Sequence, residues 1–441
     1  MKAINVGLLG IGTVGGGTYA VLTRNQEEIT RRAGRPIRIT AVADRNVERA
    51  RELVNTVVGA DVKVTDDAFS LVKDPSIDIV VELIGGYTTA LDLVMMAIDN
   101  GKHVVTANKA LLAVHGNEIF AAAQKKGVMV AFEAAVAGGI PIIKALREGL
   151  SANRIQWLAG IINGTTNFIL SEMRDKGHGF TAVLHEAQRL GYAEADPTFD
   201  IEGIDAAHKV TLMAAIAFGI PVQFDRAHVE GITKLDAVDI KYAEQLGYRI
   251  KLLGIAKRKV AGVELRVHPT LIPSKRLIAN VEGAMNAVLV WGDAVGATLY
   301  YGKGAGAEPT ASAVIADLVD VTRLATADPQ NRVPHLAFQP DQLSDLPILP
   351  MDEVETACYL RMRALDKPGV LAEVTRILAD LNISIDAMIQ KEPAEGEDQT
   401  DVVLLTHLAR EKYINAAIHK IEALDCIHGK VVRIRMEALN G

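Results

Sequence analysis

Residues 4–17 read INVGLLGIGTVGGG, and this stretch decides the fold of the first part of the chain. Its apolar start predicts a buried strand, and three glycines then complete a G-x-G-x-x-G pattern directly before a helix. Glycine suits this turn because the chain must bend sharply and bring the amides of a helix N-terminus close to a pyrophosphate. The stretch therefore predicts a dinucleotide site. The predicted cofactor-binding residues of the turn are Gly10, Gly12, Thr13, Val14 and Gly15.

Further apolar strands alternate with helical segments after this turn. Such strands, separated by helices, indicate a parallel sheet that is covered on both faces and joined by right-handed crossovers. The predicted fold class is therefore α/β, with a doubly wound Rossmann-like domain over residues 1–134. The predicted strands are Ile37–Ala43, Ile79–Leu83 and His103–Thr106, and the predicted helices are Val14–Arg32, Thr89–Asn100 and Gly116–Lys126.

The rest of the chain divides into three parts. Longer helical segments, Gly-rich turns and polar clusters over residues 135–330 predict a second, α+β domain that carries substrate groups. Four prolines fall within residues 334–350, which predicts a linker over residues 331–352. Residues 353–441 follow the order β-α-β-β-α-β, which predicts a small ferredoxin-like module at the C-terminus.

Composition and charge argue against several classes of protein. The formal net charge of -7 comes without a basic block, so the chain lacks the Lys/Arg surface that nucleic-acid phosphates require. No apolar run reaches membrane-spanning length, and we expect no secretion signal. Cys358 and Cys426 are too few for a disulfide framework. We therefore expect a cytoplasmic protein that binds neither nucleic acid nor membranes.

Asp44 and Arg45 end the second predicted strand and bear on the choice of dinucleotide. An acid there would accept a hydrogen bond from the ribose 2′-hydroxyl of NAD, whereas Arg45 would neutralise the 2′-phosphate of NADP. Asp44 lies farther from Gly10 than the usual spacing of about 20 residues, which a longer first helix and loop would explain. Both cofactors fit the sequence, with NADP slightly favoured.

Two segments carry candidate catalytic side chains. Lys109 follows the fourth predicted strand, and open α/β sheets bind ligands at the carboxyl ends of their strands. Asp205 and Lys209 are four residues apart, so a helix places them on one face. The Ala-rich, apolar residues that follow predict a packed helix, against the alternative of a surface ion pair. The carboxylates that precede this helix are Glu194, Asp196 and Asp200.

Seven segments combine residues in unusual orders. They are GLLGIGTVGGG (7–17), TANKALLA (106–113), EAAVAGGIPII (133–143), GIINGTTNFIL (160–170), GYAEADPTFDIEGIDAAHKV (191–210), YGKGAGAEPTASAV (301–314) and ALDKPGVLAEV (364–374). Through them the chain resembles a homoserine dehydrogenase with a C-terminal ACT domain, over nearly its whole length.

The resemblance implies NAD(P)H-dependent, reversible reduction of L-aspartate 4-semialdehyde to L-homoserine, in threonine, methionine and isoleucine biosynthesis. By position, Lys209 corresponds to the proton donor, Lys109 to the lysine near the nicotinamide, and Asp205 to a substrate-contacting acid. The chemistry agrees, because hydride arriving at the aldehyde carbon leaves charge on oxygen, which an ammonium can stabilise and protonate. The expected substrate-binding residues are Glu194 and Asp200 for the ammonium group, and Gly164 and Thr165 for the carboxylate.

The resemblance also implies a monovalent cation, sodium. Its expected ligands are the carboxylate of Glu133 and the backbone carbonyls of Val136, Gly138 and Ile140, and oxygen ligands suit such a hard ion. Gly306 is implied to lie close to the cofactor, where residues 300–325 return to the nucleotide domain.

ACT domains pair across subunits and bind amino acids at the shared interface. The resemblance therefore implies L-threonine as an effector, and a homodimer through the middle domain or a homotetramer through ACT pairing. The LDKPG turn (365–369) puts amides and a carboxylate where a small amino acid can meet them. The expected regulatory residues are Asp366, Pro368, Gly369, Asn382 and Ile383.

Three other interpretations are compatible with parts of the sequence. An aspartate-semialdehyde dehydrogenase needs a nucleophilic cysteine, and no cysteine precedes residue 358. A histidine-dependent hydroxy-acid dehydrogenase would use His185 or His208, both in helical segments. A non-catalytic amino-acid sensor would not need the full set of Lys109, Glu194, Asp205 and Lys209.

Overall fold

The structure is a computed structural model that describes residues 2–56, 61–393 and 395–440. The chain forms two compact units and passes between them several times. The first unit comprises Met1–Gly164, Asp205–Asp225 and Met285–Leu346, and the second comprises Thr165–Ile204, Arg226–Ala284 and Pro347–Gly441. Among the described residues, no helix is both long and apolar enough to cross a membrane.

A six-stranded parallel sheet organises the N-terminal part of the first unit, in the order β3-β2-β1-β4-β5-β6. Apart from the edge strand β3, its strands are largely apolar and buried because helices cover both faces, and the predicted doubly wound fold is confirmed. The elements are β1 (Ile4–Leu9), α1 (Thr13–Arg24), α2 (Gln26–Ala33), β2 (Ile37–Ala43), α3 (Val47–Val54), β3 (Lys63–Thr65), α4 (Ala68–Lys73), β4 (Ile79–Glu82), α5 (Thr89–Asp99), β5 (His103–Thr106), α6 (Lys109–Lys126), β6 (Val130–Ala131) and α7 (Ile142–Lys144).

Two of the predicted helices were wrong in extent. The segment predicted as one helix over Val14–Arg32 is two helices, because Asn25 leaves helical geometry at φ -104° and ψ 20°. The helix predicted to begin at Gly116 begins at Lys109, because the side chain of Asn108 accepts a hydrogen bond from Leu111 N and caps it.

The middle of the chain contributes elements to both units. In the first unit, β7, β11 and β12 form an antiparallel sheet, and α13 packs against α1 and buries Val314 and Leu318 in the core of the nucleotide domain. The elements are β7 (Ile155–Ile161), α8 (Gly164–Lys176), α9 (Phe180–Arg189), α10 (Thr198–Ile201), α11 (Ile204–Phe218), β8 (His228–Val229), α12 (Ala237–Gln245), β9 (Tyr248–Arg258), β10 (Val263–Pro273), β11 (Met285–Gly292), β12 (Gly296–Lys303) and α13 (Ala307–Leu324).

The C-terminal module has the predicted β-α-β-β-α-β order and its own apolar core. Its sheet runs β17-β13-β15-β14 with antiparallel pairs, and β17 also pairs with β10 in parallel, which joins the module to the rest of the second unit. A short strand, β16, was not predicted. The elements are β13 (Glu355–Leu365), α14 (Val370–Asp380), β14 (Ile385–Gln390), β15 (Gln399–Thr406), β16 (Ala409–Arg410), α15 (Glu411–Glu422) and β17 (Ile427–Met436).

Candidate active site

The glycine turn between β1 and α1 has the geometry that a pyrophosphate site requires. Gly10 has a φ of +88°, and a Cβ atom at Gly15 would lie 2.1 Å from the carbonyl oxygen of Gly10. Gly12 caps α1, and nothing in the described structure lies within 4 Å of the position that its Cβ would take. The N-terminal amides of α1 therefore lie beside open space, and a dinucleotide pyrophosphate fits there.

The start of α13 lies against α1. A Cβ atom at Gly17 would approach the carbonyl oxygen of Ala307 to 2.5 Å, so glycine permits this close packing. Gly306 has a φ of +131° and caps α13, and Arg24 and Glu308 form an exposed ion pair at 2.8 Å. The backbone around Gly306 therefore lies beside the helix that begins at the glycine turn.

Asp44 supports the glycine turn with its carboxylate. Its Oδ2 accepts a hydrogen bond of 2.8 Å from Ile11 N, and its Oδ1 accepts one of 2.8 Å from Asn46 N. The neighbouring Arg45 is exposed. Asp44 thus ties the end of β2 to the turn after β1.

Lys109, Asp205 and Lys209 come together within the first unit. Lys109 is the first residue of α6, just after β5, and its Nζ lies 3.1 Å from Asp205 Oδ1. Lys209 lies one turn after Asp205 on α11, and its Nζ donates to Asp205 Oδ2 at 2.7 Å and to Ile162 O at 2.8 Å. One carboxylate therefore holds two ammonium groups near the carboxyl end of β5.

The two members of this cluster on α11, Asp205 and Lys209, are largely buried, in agreement with the prediction of a packed helix. The side chains of Asp205, Lys209 and Lys109 are 5%, 12% and 34% exposed. Asn163 Nδ2 donates a hydrogen bond of 2.8 Å to Asp205 Oδ2. Burial opposes the ionised form of Asp205, but Lys209 and Lys109 outweigh it and hold its pKa well below the usual range. Asp205 is thus a carboxylate that stabilises positive charge on both lysines.

His208 lies next to this cluster but has a different character. Burial lowers its pKa to about 4, against the opposing effect of Asp205. Its ring packs edge-on against Phe224, with the ring centroids 4.3 Å apart. At neutral pH His208 is therefore uncharged, which disfavours it as the proton donor of a dehydrogenase. His185, the second candidate histidine, is exposed on α9.

The predicted substrate-binding residues Glu194, Asp200 and Thr165 belong to the second unit. Glu194 is exposed, and its carbonyl oxygen accepts a hydrogen bond from Gln188 Nε2 at 3.1 Å. Asp200 lies in α10. Thr165 Oγ1 donates its proton to Tyr192 O at 2.7 Å, which ties the first turn of α8 to the loop that carries Glu194.

The predicted cation loop has left-handed backbone at Ala137 and Gly138, with φ of +55° and +48°. Both carboxylate oxygens of Glu133 accept backbone hydrogen bonds of 2.8 Å, from Ile143 N and Lys144 N. Burial raises the pKa of Glu133. Within the described residues, no group of three or more His, Cys, Asp or Glu side chains is placed to hold a metal ion. Besides the Glu133 carboxylate, a cation here would therefore need carbonyl oxygens as ligands, and such oxygen donors fit sodium rather than a transition metal.

The LDKPG turn of the C-terminal module lines a cavity of about 370 Å³. Asp366, Pro368 and Gly369 belong to its lining, and Asp366 Oδ1 accepts a hydrogen bond of 2.9 Å from Gln390 Nε2. Asn382, with a φ of +56°, and the buried Ile383 follow the far end of α14. The predicted regulatory residues therefore form two groups within one chain.

Comparison with known proteins gives matches over all parts of the chain. Residues 10–133 match the family model "Homoserine dehydrogenase, NAD binding domain", residues 141–319 match "Homoserine dehydrogenase", and residues 359–423 match "ACT domain". The chain is 64% identical over 440 residues to a homoserine dehydrogenase of Pseudomonas aeruginosa and 60% identical to that of Neisseria gonorrhoeae, each covering 100% of both chains. A crystal structure of a homoserine dehydrogenase from Thiobacillus denitrificans is 71% identical, with a TM-score of 0.95 over 100% of this chain and 99% of that one.

The chain belongs to the homoserine dehydrogenase family. The predicted family, the three-part fold and the oxidoreductase activity are confirmed, and the NAD-binding domain establishes a nicotinamide dinucleotide as cofactor. The structure also argues against an aspartate-semialdehyde dehydrogenase, which needs a reactive cysteine. Cys358 lies in β13, and burial raises the pKa of its thiol to about 11.

The sequence did not predict the contacts of several polar residues that shape this homoserine dehydrogenase site. Asn163 directly precedes Gly164 and Thr165, which were predicted to bind the substrate carboxylate, but its side-chain amide donates a hydrogen bond to the carboxylate of Asp205. At the ends of β4 and β5, Thr106 Oγ1 donates to Glu82 Oε2 at 2.7 Å, and Asn108 Nδ2 donates to Gly86 O at 2.6 Å. Their position after buried strands was the available signal.

Proposed function

We propose that Lys109, Asp205 and Lys209 form the catalytic centre for the reversible reduction of L-aspartate 4-semialdehyde to L-homoserine. The observation that supports this is the buried carboxylate of Asp205, which lies within hydrogen-bond distance of both lysine ammonium groups. Positive charge held near the end of β5 stabilises the oxyanion that develops when an aldehyde is reduced. Ground-state aldehyde carries no such charge, so the stabilisation acts mainly on the transition state.

Lys209 is the proposed proton donor. In reduction its Nζ–H bond breaks and the proton moves to the former carbonyl oxygen, which becomes the hydroxyl of homoserine. In oxidation the neutral amine takes that proton back. A bound nicotinamide dinucleotide supplies the hydride in one direction and accepts it in the other. Asp205 orients Lys209 through their 2.7 Å hydrogen bond, and Lys109 is the proposed second ammonium beside the reacting oxygen.

The proposed cofactor contacts are the glycine turn, Lys109, Gly306 and the Asp44–Arg45 pair. Both oxygens of Asp44 already accept backbone hydrogen bonds, whereas Arg45 is exposed and carries the positive charge that a 2′-phosphate requires. A solved hyperthermophilic archaeal homoserine dehydrogenase, 26% identical with a TM-score of 0.62, is in complex with NADPH. We therefore propose a preference for NADP over NAD.

The proposed substrate contacts complete the assignment. Glu194 and Asp200 would hold the ammonium group of the substrate, and Gly164 and Thr165 its carboxylate. The hydroxyl group of Thr165 donates its proton to Tyr192 O, so Thr165 would bind the substrate carboxylate through its backbone amide. That amide lies in the first turn of α8, where backbone N–H groups have no acceptor within the helix.

The decisive experiment compares Lys209→Ala with Lys257→Ala. Lys257 is also a partly buried lysine on a carboxylate, Glu437, but lies outside the proposed centre. We expect Lys209→Ala to lower kcat for homoserine oxidation about 10²- to 10⁴-fold, with NADPH affinity unchanged by fluorescence titration. Lys257→Ala should retain wild-type kcat. Comparable turnover by the two variants would reject Lys209 as the proton donor.

L-Threonine is the proposed effector of the ACT domain, bound at the cavity of Asp366 and Gly369 with the Asn382–Ile383 group supplied across a subunit interface. Titration calorimetry of the full-length protein should give saturable heat with threonine. Asp366→Ala should abolish that heat, whereas Asp352→Ala, an exposed control that precedes β13 and lies outside both groups, should keep it. Absence of heat with the wild type would contradict the proposal.

Three further assignments follow the family resemblance. Sodium at the Glu133 loop is proposed to fix the backbone there, without a step in the chemistry. The proposed assembly is a homodimer through the middle domain, or a homotetramer through ACT pairing. A cytoplasmic location is proposed because Cys358 and Cys426 are free thiols, as a reducing compartment would keep them.

A further inference from the structure

A closed ring of hydrogen bonds joins the ends of β4 and β5, next to the proposed catalytic centre. Glu82, the last residue of β4, and Thr106, the last residue of β5, are both 0% exposed. Oε1 of Glu82 accepts hydrogen bonds from Ile84 N at 2.9 Å and from Gly85 N at 3.3 Å. Its Oε2 accepts one of 2.7 Å from Thr106 Oγ1. One carboxylate therefore ties the loop after β4 to the end of β5.

Asn108 closes the ring and connects it to Lys109. Asn108 N donates to Thr106 Oγ1 at 3.0 Å, and Asn108 Nδ2 donates to Gly86 O at 2.6 Å, at the other end of the same loop. The side-chain oxygen of Asn108 caps α6, because it accepts a hydrogen bond of 3.1 Å from Leu111 N. Lys109 is the first residue of α6. The ring therefore fixes the backbone that carries the Lys109 side chain.

The loop between β4 and α5 packs on the glycine turn and borders open space. A Cβ atom at Gly10 would lie 2.9 Å from Leu83 O and 3.1 Å from Ile84 Cγ2, so the two segments are in contact. Gly85 and Gly86 have φ of +72° and +70°, and no described atom lies within 4 Å of the positions that their Cβ atoms would take. The two glycines therefore leave room for a group that lies close to the loop backbone.

The order of the strands places this loop along a bound dinucleotide. β4 lies between β1, which leads into the glycine turn, and β5, which leads to Lys109. A dinucleotide with its pyrophosphate at the turn and its nicotinamide near Lys109 crosses the end of β4. We propose that Glu82 is a positioning residue for hydride transfer, which through Thr106 and Asn108 fixes both the loop that faces the cofactor and the start of α6. This role rests on the proposed catalytic centre, since it acts through Lys109.

The chemistry of the ring requires a group that only accepts hydrogen bonds. An ionised carboxylate can bind the two loop amides and the Thr106 hydroxyl at once. Burial raises the pKa of Glu82, and these hydrogen bonds oppose the rise. A glutamine in its place presents N–H donors where one carboxylate oxygen was, so at least one of the three donors loses its acceptor. Glu82→Gln therefore keeps the size of the side chain and breaks the ring.

The test compares Thr106→Val with Tyr19→Phe. Each change removes one buried hydroxyl and keeps most of the side chain, and the Tyr19 hydroxyl donates to Val54 O at 3.1 Å in the core of the same domain. The readout is the single-turnover rate of homoserine oxidation in stopped flow, with whichever of NAD and NADP the wild type uses faster. Thr106→Val should slow hydride transfer about 10- to 100-fold, because a small misplacement of the reacting groups is costly. Tyr19→Phe should lose stability in urea denaturation but keep the wild-type rate.

Further variants separate positioning from stability, at a temperature where circular dichroism shows every variant to be folded. Thr106→Ser retains the hydroxyl and should restore the rate that Thr106→Val loses. Glu82→Gln should also be slow, and the double variant with Thr106→Val should be no slower than the slower single variant, because both changes break one ring. A wild-type rate in either Thr106→Val or Glu82→Gln would overturn the proposal, as would losses that multiply in the double variant.

Lys109→Ala keeps a failure of this proposal distinct from a failure of the catalytic centre. Slow hydride transfer in Lys109→Ala, together with wild-type rates in Thr106→Val and Glu82→Gln, would retain the centre and reject the positioning role. A wild-type rate in Lys109→Ala would remove Lys109 from the centre and overturn both proposals.

Discussion

The buried charges of the first unit differ in kind from those of the C-terminal module. In the first unit, Asp205 meets the ammonium groups of Lys109 and Lys209 through single contacts. In the module, Arg435 forms a two-point pair with Glu411, through Nε at 2.8 Å and Nη2 at 3.0 Å. The Arg435 and Glu411 side chains are 2% and 0% exposed, whereas that of Lys109 is 34% exposed.

The chemistry of the positively charged group explains the different roles of these two sites. A guanidinium is not deprotonated in proteins, and its planar fork fixes a carboxylate in one geometry. An ammonium can lose a proton, and its contacts are single and rotatable. The arginine pair is therefore suited to hold β17 against α15, and the lysine cluster is suited to exchange a proton with a substrate.

Arg435→Met tests the structural side of this comparison and should have the largest effect. Removing Arg435 takes away both of its hydrogen bonds to the buried Glu411 carboxylate, which keeps Arg433 as a cationic partner at 3.0 Å. We therefore expect a cost of about 3 kcal/mol in the free energy of unfolding, the low end for a broken buried pair. Urea denaturation gives that value. Arg410→Met, which removes a half-exposed ion pair with Glu353, should change it by less than about 1 kcal/mol. Equal losses in the two variants would contradict the structural role of Arg435.

Asp205→Asn tests whether the lysine cluster exchanges a proton with the substrate. Without the carboxylate, Lys209 loses the charge that favours its protonated form, so we expect kcat to fall about 10²-fold, and its pH profile to shift to lower pH. Asp239→Asn is the matched control. Asp239 is a fully buried carboxylate that binds Arg361 and Tyr359, so its loss should destabilise the protein and spare kcat. An unshifted pH profile for Asp205→Asn would exclude control of Lys209 by Asp205.

Asp317 extends the comparison to a carboxyl group that lies beside another carboxylate. Burial and the charge of Glu133 raise its pKa to about 7, against about 4 in an unfolded chain. The folded state then binds the proton more tightly than the unfolded chain does. The contribution of Asp317 to the free energy of unfolding is therefore fully present below about pH 4 and is lost as the pH rises through about 7.

Replacement of that residue by Asn should remove this dependence. The unfolding free energy of the wild type should fall relative to that of Asp317→Asn, by at most about 1.4 kcal/mol per pH unit between pH 4 and pH 7. Urea denaturation of both proteins at four pH values gives the difference. A difference that does not change with pH would show that Asp317 stays ionised in the folded protein.

Local sequence patterns determined much of the fold and part of the site. Alternating apolar strands and helices predicted the parallel sheet, and the module order predicted the ferredoxin-like domain. Asp205 and Lys209 were paired correctly because a spacing of four is set by the helix itself. The extent of the first helix was missed, since its break depends on the backbone geometry of Asn25.

Contacts between distant segments were decided only by the tertiary structure. Asn163 lies 42 residues from Asp205 in sequence, and Ile11 lies 33 residues from Asp44, yet each pair is hydrogen-bonded at 2.8 Å. Periodicity and motifs describe neighbours along one element, so they identify polar residues at strand ends without saying which of them will meet. The buried surroundings then decide the chemistry of each group. The carboxyl group of Asp205 stays ionised beside two lysines, whereas burial beside the carboxylate of Glu133 favours the protonated form of Asp317.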